Sequence, residues 1–176
     1  MSAITAGSLP TTGSWKIDPT HSTATFTLIH NVVATFRAGF HDVSGTLIDG
    51  VLSGSVPVEN LELGGPAAFR EHVLGEGFLD AASHPTLEFR SHDIHAHGDG
   101  HVHASGELTI RGVTLPIAAE GHVRGPLEVT LVDGSTGERL GLTLSTTVDR
   151  RDFGLNIFAG ADWQVTIEVE LELRRG

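Results

Sequence analysis

The sequence predicts an all-β fold, an antiparallel β-barrel carrying one short helix, and three observations predict it. First, Trp163, Val165, Ile167, Val169, Leu171 and Leu173 alternate with Asp162, Gln164, Thr166, Glu168, Glu170 and Glu172. Period-two alternation of that length marks a strand with one dry and one wet face. Second, turn pairs recur between such segments, at Asp49-Gly50, Asp99-Gly100, Gly125-Pro126 and Asp133-Gly134, as expected of hairpins. Third, one segment, Pro66 to Leu74, breaks the strand pattern. A barrel is preferred to a sandwich because closure leaves no open strand edge.

In chain order, residues 1–13 read as a flexible N-terminal segment and residues 14–176 as a single barrel domain. Met1 to Gly13 lacks the basic start and apolar run of a secretory signal, so the expected location is the cytoplasm. Next comes a strand in which Ala24, Phe26 and Leu28 alternate with Thr23, Thr25 and Thr27. The helix follows, with Pro66 suited to its first position, Gly75 to its end, and Phe69 and Val73 spaced to share a buried face. Leu140, Leu142, Leu144 and Val148 mark another strand ahead of the C-terminal one.

Composition narrows the function. A chain of 176 residues with 39% hydrophobic content supports one domain with a core of its own. Its formal charge of −11 opposes nucleic acid and anionic membranes. No apolar run reaches membrane-spanning length, so stable membrane insertion is not expected. The absence of cysteine removes disulfides, thiolate metal sites and cysteine nucleophiles. There is no Gly-x-Ser-x-Gly elbow, His-Glu-x-x-His helix or phosphate-binding glycine loop. The expectation is a non-enzyme that uses no cofactor.

Five ordered blocks resemble YceI-like proteins: IDPTHSTATFTLIH (Ile17 to His30), FRAGFHDVSGTL (Phe36 to Leu47), REHVLGEGFLDAASHPTLEFRS (Arg70 to Ser91), GELTIRGVTLP (Gly106 to Pro116) and DRRDFGL (Asp149 to Leu155). The resemblance implies a lipocalin-like eight-stranded antiparallel barrel that holds a polyisoprenoid, isoprenoid quinone or other long-chain apolar ligand. Two departures stand out. Many members carry a secretory signal, and Gly77 occupies a position usually acidic in the family.

An eight-stranded barrel is either filled by its own side chains or open for one small ligand. Phe26, Leu28, Phe36, Phe40, Phe89, Ile110, Phe153 and Trp163 read inward, with Phe78 in a matched block, while Ala24, Ala38, Gly45 and Ala104 leave room between them. Burying methylenes at about 0.8 kcal/mol each gives a few isoprene units most of the affinity they need. His21 and Arg37 are candidates for head-group contact, with Ser22, Asp42, His72 and Asp152 as further polar residues of the matched blocks. Each also has a local use: Ser22 and Asp18 can bond nearby backbone, and Arg37 can pair with Asp42 across a bend. The partner expected is a long-chain apolar small molecule, and a homodimer is left open. A filled structural or stress-response barrel is one alternative.

The run HDIHAHGDGHVH supplies the other alternative, a metal-binding protein or metal-dependent enzyme using His95, His97, His101 and His103. A three-residue loop at Gly98 to Gly100 would gather those four rings on one face. A two-residue Asp99-Gly100 turn would separate them. The shorter turn is expected, because Asp-Gly suits it and because it sets Phe89 opposite Ile110 and Ser91 opposite Leu108. The run also approaches the His-x-His-x-Asp-His motif of metallo-β-lactamase-like hydrolases, but Gly100 breaks the spacing. The histidines are therefore expected on a solvated hairpin tip.

Overall fold

The computed structural model describes residues 7–158 and 160–176. Its strands are β1 (Ser14–Ile17), β2 (Thr23–His30), β3 (Ala34–Phe40), β4 (Ser44–Ile48), β5 (Val51–Pro57), β6 (Leu61–Glu62), β7 (Thr86–Ala96), β8 (His101–Ile110), β9 (Val113–Thr130), β10 (Thr136–Asp149) and β11 (Gln164–Arg175), with helix α1 (Ala67–Leu74) between β6 and β7. Several of these are halves of longer, broken staves. The end of β11 pairs with β1 through Ile17 and Leu173, while its start pairs with β2 through Phe26 and Ile167. In the same way β4 pairs with β1 and β3 with β2, and β5 pairs with β4 and β6 with β3. Counted as staves, eight antiparallel members close into a barrel through β1 and β11, which satisfies the backbone groups an open edge would expose.

The break between β1 and β2 is pinned by Ser22, which is buried and accepts a hydrogen bond from the Glu172 amide at 3.0 Å. The β4–β5 hairpin is the tight turn its sequence predicts. Asp49 and Gly50 both take left-handed backbone, φ 48° and 81°, between paired Ile48 and Val51, the type I′ geometry that matches strand twist.

Two predicted turns are corrected. Gly125-Pro126 lies inside the long strand β9, opposite a register shift between Arg139 and Gly141 of β10, so the pair marks an irregularity in a strand and not its end. The histidine hairpin closes through a three-residue loop. The His97 amide donates to the His101 carbonyl at 2.8 Å, Gly100 is left-handed at φ 83°, and His95 faces His103. A bulge between Ser91 and Asp93 is the physical reason. It splits the pair into two registers, one setting Phe89 opposite Leu108 and the other Ile94 opposite Ala104. Both halves keep apolar residues on the inner face, so the match that favoured the shorter turn is met without it.

The core is uneven along the barrel axis. Trp15, Leu47, Leu52, Val102, Val123, Leu140 and Leu173 are all buried and form a packed floor at the β1 end. A smaller cluster of Leu108, Ile110, Phe153 and Leu155 lies toward the other end. Helix α1 leans on the barrel beside β6, Arg70 Nε donating to the Leu61 carbonyl at 2.9 Å, and Val73 and Leu74 pack against the larger cluster. Pro66 stands one residue earlier than expected, just before the first helical residue and without a capping hydrogen bond, and Gly75 follows the helix in extended backbone. Phe69 and Val73 do share a face, but no residue of α1 is fully buried, because that face looks onto a cavity.

Residues 1–6 of the N-terminal segment lie outside the described residues. Gly7 and Ser8 donate to the Val123 and Gly125 carbonyls of β9, and Leu9 packs on the core. No described helix is long and apolar enough to cross a membrane.

Candidate functional site

Above the floor the barrel is hollow. A cavity of about 290 Å³ runs toward the end where β2, β3 and β6 part from β7, near the lower bound of about 300–1,000 Å³ for ligand pockets. Its base is set by Ile17, Leu52, Ala119 and Leu171. Eight of the residues predicted to face a ligand lie on its wall: Phe26, Leu28, Phe36, Phe40, Phe78, Phe89, Ile110 and Phe153. Alternation puts them there, since β2 pairs with β3 so that Phe26 faces Ala38, Leu28 faces Phe36 and Ala24 faces Phe40, all on one side of the sheet. Phe26 lies 6.1 Å from both Phe36 and Phe40 by ring centre, and the wall stays open because Ala24 stands among these rings.

Three predicted contacts lie elsewhere. Arg37 points outward on β3, beside a shallow surface recess shared with His41, Glu62 and Arg70. Its neighbour Asp42 accepts instead from Asn60 Nδ2 at 2.8 Å. His21 sits exposed in the break between β1 and β2, its Nδ1 3.3 Å from Asp18 Oδ2. Burial alone would raise the Asp18 pKa, but the Thr20 amide and His21 together hold it below the ordinary value. Asp18 is level with Glu172, whereas Asp152 follows the Asp149–Gln164 pair at the other end of β11. Eight residues of strand, roughly 26 Å, separate the two levels, so Asp18, His21 and Asp152 do not converge.

Trp163 precedes β11 and lies under two guanidinium groups, 4.3 Å from Arg150 and 5.0 Å from Arg151. Arg150 is the residue of the mouth that periodicity could not reveal. It is 6% exposed and donates to five carbonyls: Asp162, Leu155, Ile157, Phe158 and Ala161, at 2.7–2.9 Å. Burial lowers its pKa, and the Asp149 carboxylate opposes that shift. All five N–H groups of the planar fork are occupied, so Arg150 moulds the loop between the Arg150–Phe153 turn and β11 and has no donor left for a ligand.

That loop forms one lip of the mouth. Phe158 stacks on His30 with ring centres 5.6 Å apart, and the Asn31 amide donates to the Gly160 carbonyl. Arg111 ties this lip to the segment after α1, donating to the carbonyls of Gly154 and Glu76. A side chain at Gly77 would press on the lip, its Cβ 3.2 Å from Ile157 Cδ1. Phe69 of α1 lies 6.0 Å from Phe36 on the facing side. His30, Phe69 and Phe158 thus join the site: His30 ends β2 in phase with Ala24, Phe26 and Leu28, so the strand period could have announced it, whereas Phe69 and Phe158 stand on a short helix and a loop that carry no such period.

The predicted metal candidates His95, His97, His101 and His103 do share a face, the outer one, at the floor end of the barrel. They take no part in the cavity.

The chain matches the YceI-like domain model over residues 15–174. It is 30% identical over 159 residues to a UPF0312 protein of Shewanella oneidensis, covering 87% of this chain and 80% of that one. A polyisoprenoid binding domain from Saccharophagus degradans superposes with a TM-score of 0.73 at 14% identity, over 92% of this chain and 98% of that chain. BcnA of Burkholderia cenocepacia superposes with a TM-score of 0.72 at 16% identity, over 89% and 98% of the two chains. With the closed barrel, one short α-helix among the described residues and a family match spanning residues 15–174, the chain belongs to the YceI-like family.

Proposed function

We propose that this protein binds one slim apolar chain, of the polyisoprenoid or fatty class, within the barrel and carries it without chemical change. The observation that carries this reading is the hollow above the packed floor, walled by aromatic and aliphatic side chains and open at a mouth with an apolar lip. Its size favours a single chain over a bulky ring system. Affinity then comes from apolar burial at about 25 cal/mol per Å². The polyisoprenoid binding named for the Saccharophagus degradans domain supports the isoprenoid choice. Among polar wall residues, His30 stands at the mouth, placed to meet a head group.

Solvent extraction and native mass spectrometry of gently purified protein test the proposal. One apolar chain per protein is expected, or uptake of one equivalent of farnesol or a fluorescent polyene fatty acid by the emptied barrel. Ala24→Phe, which places a ring in the hollow, should abolish uptake while the thermal transition persists. A protein that neither yields nor takes up such a chain overturns the reading.

A further inference from the structure

Six outward side chains on three neighbouring strands form two adjoining rows at the floor end. In one row β8 places His103 between His95 of β7 and Glu120 of β9. In the next, the three-residue loop sets His97 beside His101, which in turn faces His122 of β9. The ring centres are 4.6 Å apart for His101 and His103, 5.2 Å for His97 and His103, 5.3 Å for His101 and His122, and 5.8 Å for His95 and His103. His103 Nδ1 lies 3.5 Å from Glu120 Oε1. His101, His103 and Glu120 each offer a ligand atom within 4.8 Å of the others.

We propose that this face is a binding site for one divalent transition-metal ion of the zinc, nickel and copper class, held by His97, His101, His103 and Glu120. Imidazole and carboxylate donors together suit these ions. Two imidazoles on one ion, with metal–nitrogen bonds of about 2.0–2.1 Å, have ring centres about 5 Å apart, a spacing already present for His101–His103 and His97–His103, while His97 and His101, 6.2 Å apart, must close by side-chain rotation. The strands beneath are held in place, because Val102 and Ala104 of β8 and Val123 of β9 are buried on the opposite face. Only side-chain rotation is needed to converge the ligands. His95 and His122 flank the four and shield the ion, and the Glu120 carboxylate offsets part of its charge. The site lies at the packed end of the barrel, away from the mouth, and is independent of the apolar ligand.

The test is calorimetric titration of untagged, chelator-stripped protein with zinc chloride near pH 7.5, repeated with nickel and copper salts. One equivalent is expected to bind, and His101→Asn with His103→Asn should weaken it roughly hundredfold or more. His92→Asn, at the bulge beside Glu107 and outside the two rows, should leave it unchanged. Should the double variant fail to melt like the parent, Glu120→Gln serves in its place, with an expected loss of about tenfold. Binding of less than half an equivalent, or affinity unaltered in the ligand variants, overturns the proposal.

Discussion

At the scale of single residues, His30 and Arg150 both stand at the mouth, and Arg150 sets the shape of its lip. His30 lines the cavity with its ring against Phe158, so in His30→Leu a prenol should lose about fivefold in affinity relative to a hydrocarbon of equal length. That is the worth of one hydrogen bond, about 1 kcal/mol, and competition binding with the two ligands reads it. Equal losses for both would remove the head-group role. Arg150 answers five carbonyls with five donors. A lysine there keeps the charge but has three donors and no planar fork. Arg150→Lys should therefore strand at least two carbonyls at about 1–3 kcal/mol each, seen as a lower denaturant midpoint and faster proteolysis between Leu155 and Ala161. An unchanged midpoint would mean that the loop holds its shape without the fork.

At the scale of elements, the turn from β10 into Arg150–Phe153 is set by Asp149, which accepts from the Arg151 amide at 3.0 Å and pairs with the Arg151 guanidinium at 2.5 Å. The Arg151 hydrogen bond pulls the Asp149 pKa from 3.8 to about 2. A depressed carboxylate adds stability above its unfolded pKa and loses it as the pH falls through the folded value. Asp149→Asn should thus melt below the parent at neutral pH, with the gap closing between pH 3.8 and about 2; a constant gap would rule the linkage out. Elements with a long period were legible in the sequence. Alternation located β10 and β11, and it aimed Phe26, Leu28, Phe36 and Phe40 into the hollow. What it could not locate was a change of phase. The bulge beside His92 shifts the register of β7 against β8, and with it the grouping of the histidines. The alternation carries Trp163 into the C-terminal strand with an inward side chain, yet its carbonyl accepts from the Arg150 amide before β11 begins. Glu120 and His122 join the histidine rows only through the pairing of β8 with β9, a long-range fact absent from any local run.

At the scale of the whole molecule, the barrel separates what holds it together from what it holds. The floor has no space to lose: Leu140 is 0% exposed and sits among Trp15, Leu47 and Leu173. Removing its side chain leaves a void in close-packed surroundings, so Leu140→Ala should cost about 2–5 kcal/mol. Phe36 on the upper wall borders empty space on one side. It has fewer contacts to forfeit there, and Phe36→Ala should cost less than the about 3–5 kcal/mol of a fully packed phenylalanine while widening the hollow. Paired denaturation and binding experiments should then show opposite profiles. The floor variant loses stability and keeps its preference for ligand length. The wall variant keeps most of its stability and shifts that preference toward bulkier chains. If both substitutions instead changed stability alike and left ligand preference untouched, the hollow would be a packing defect and not the place where the ligand sits.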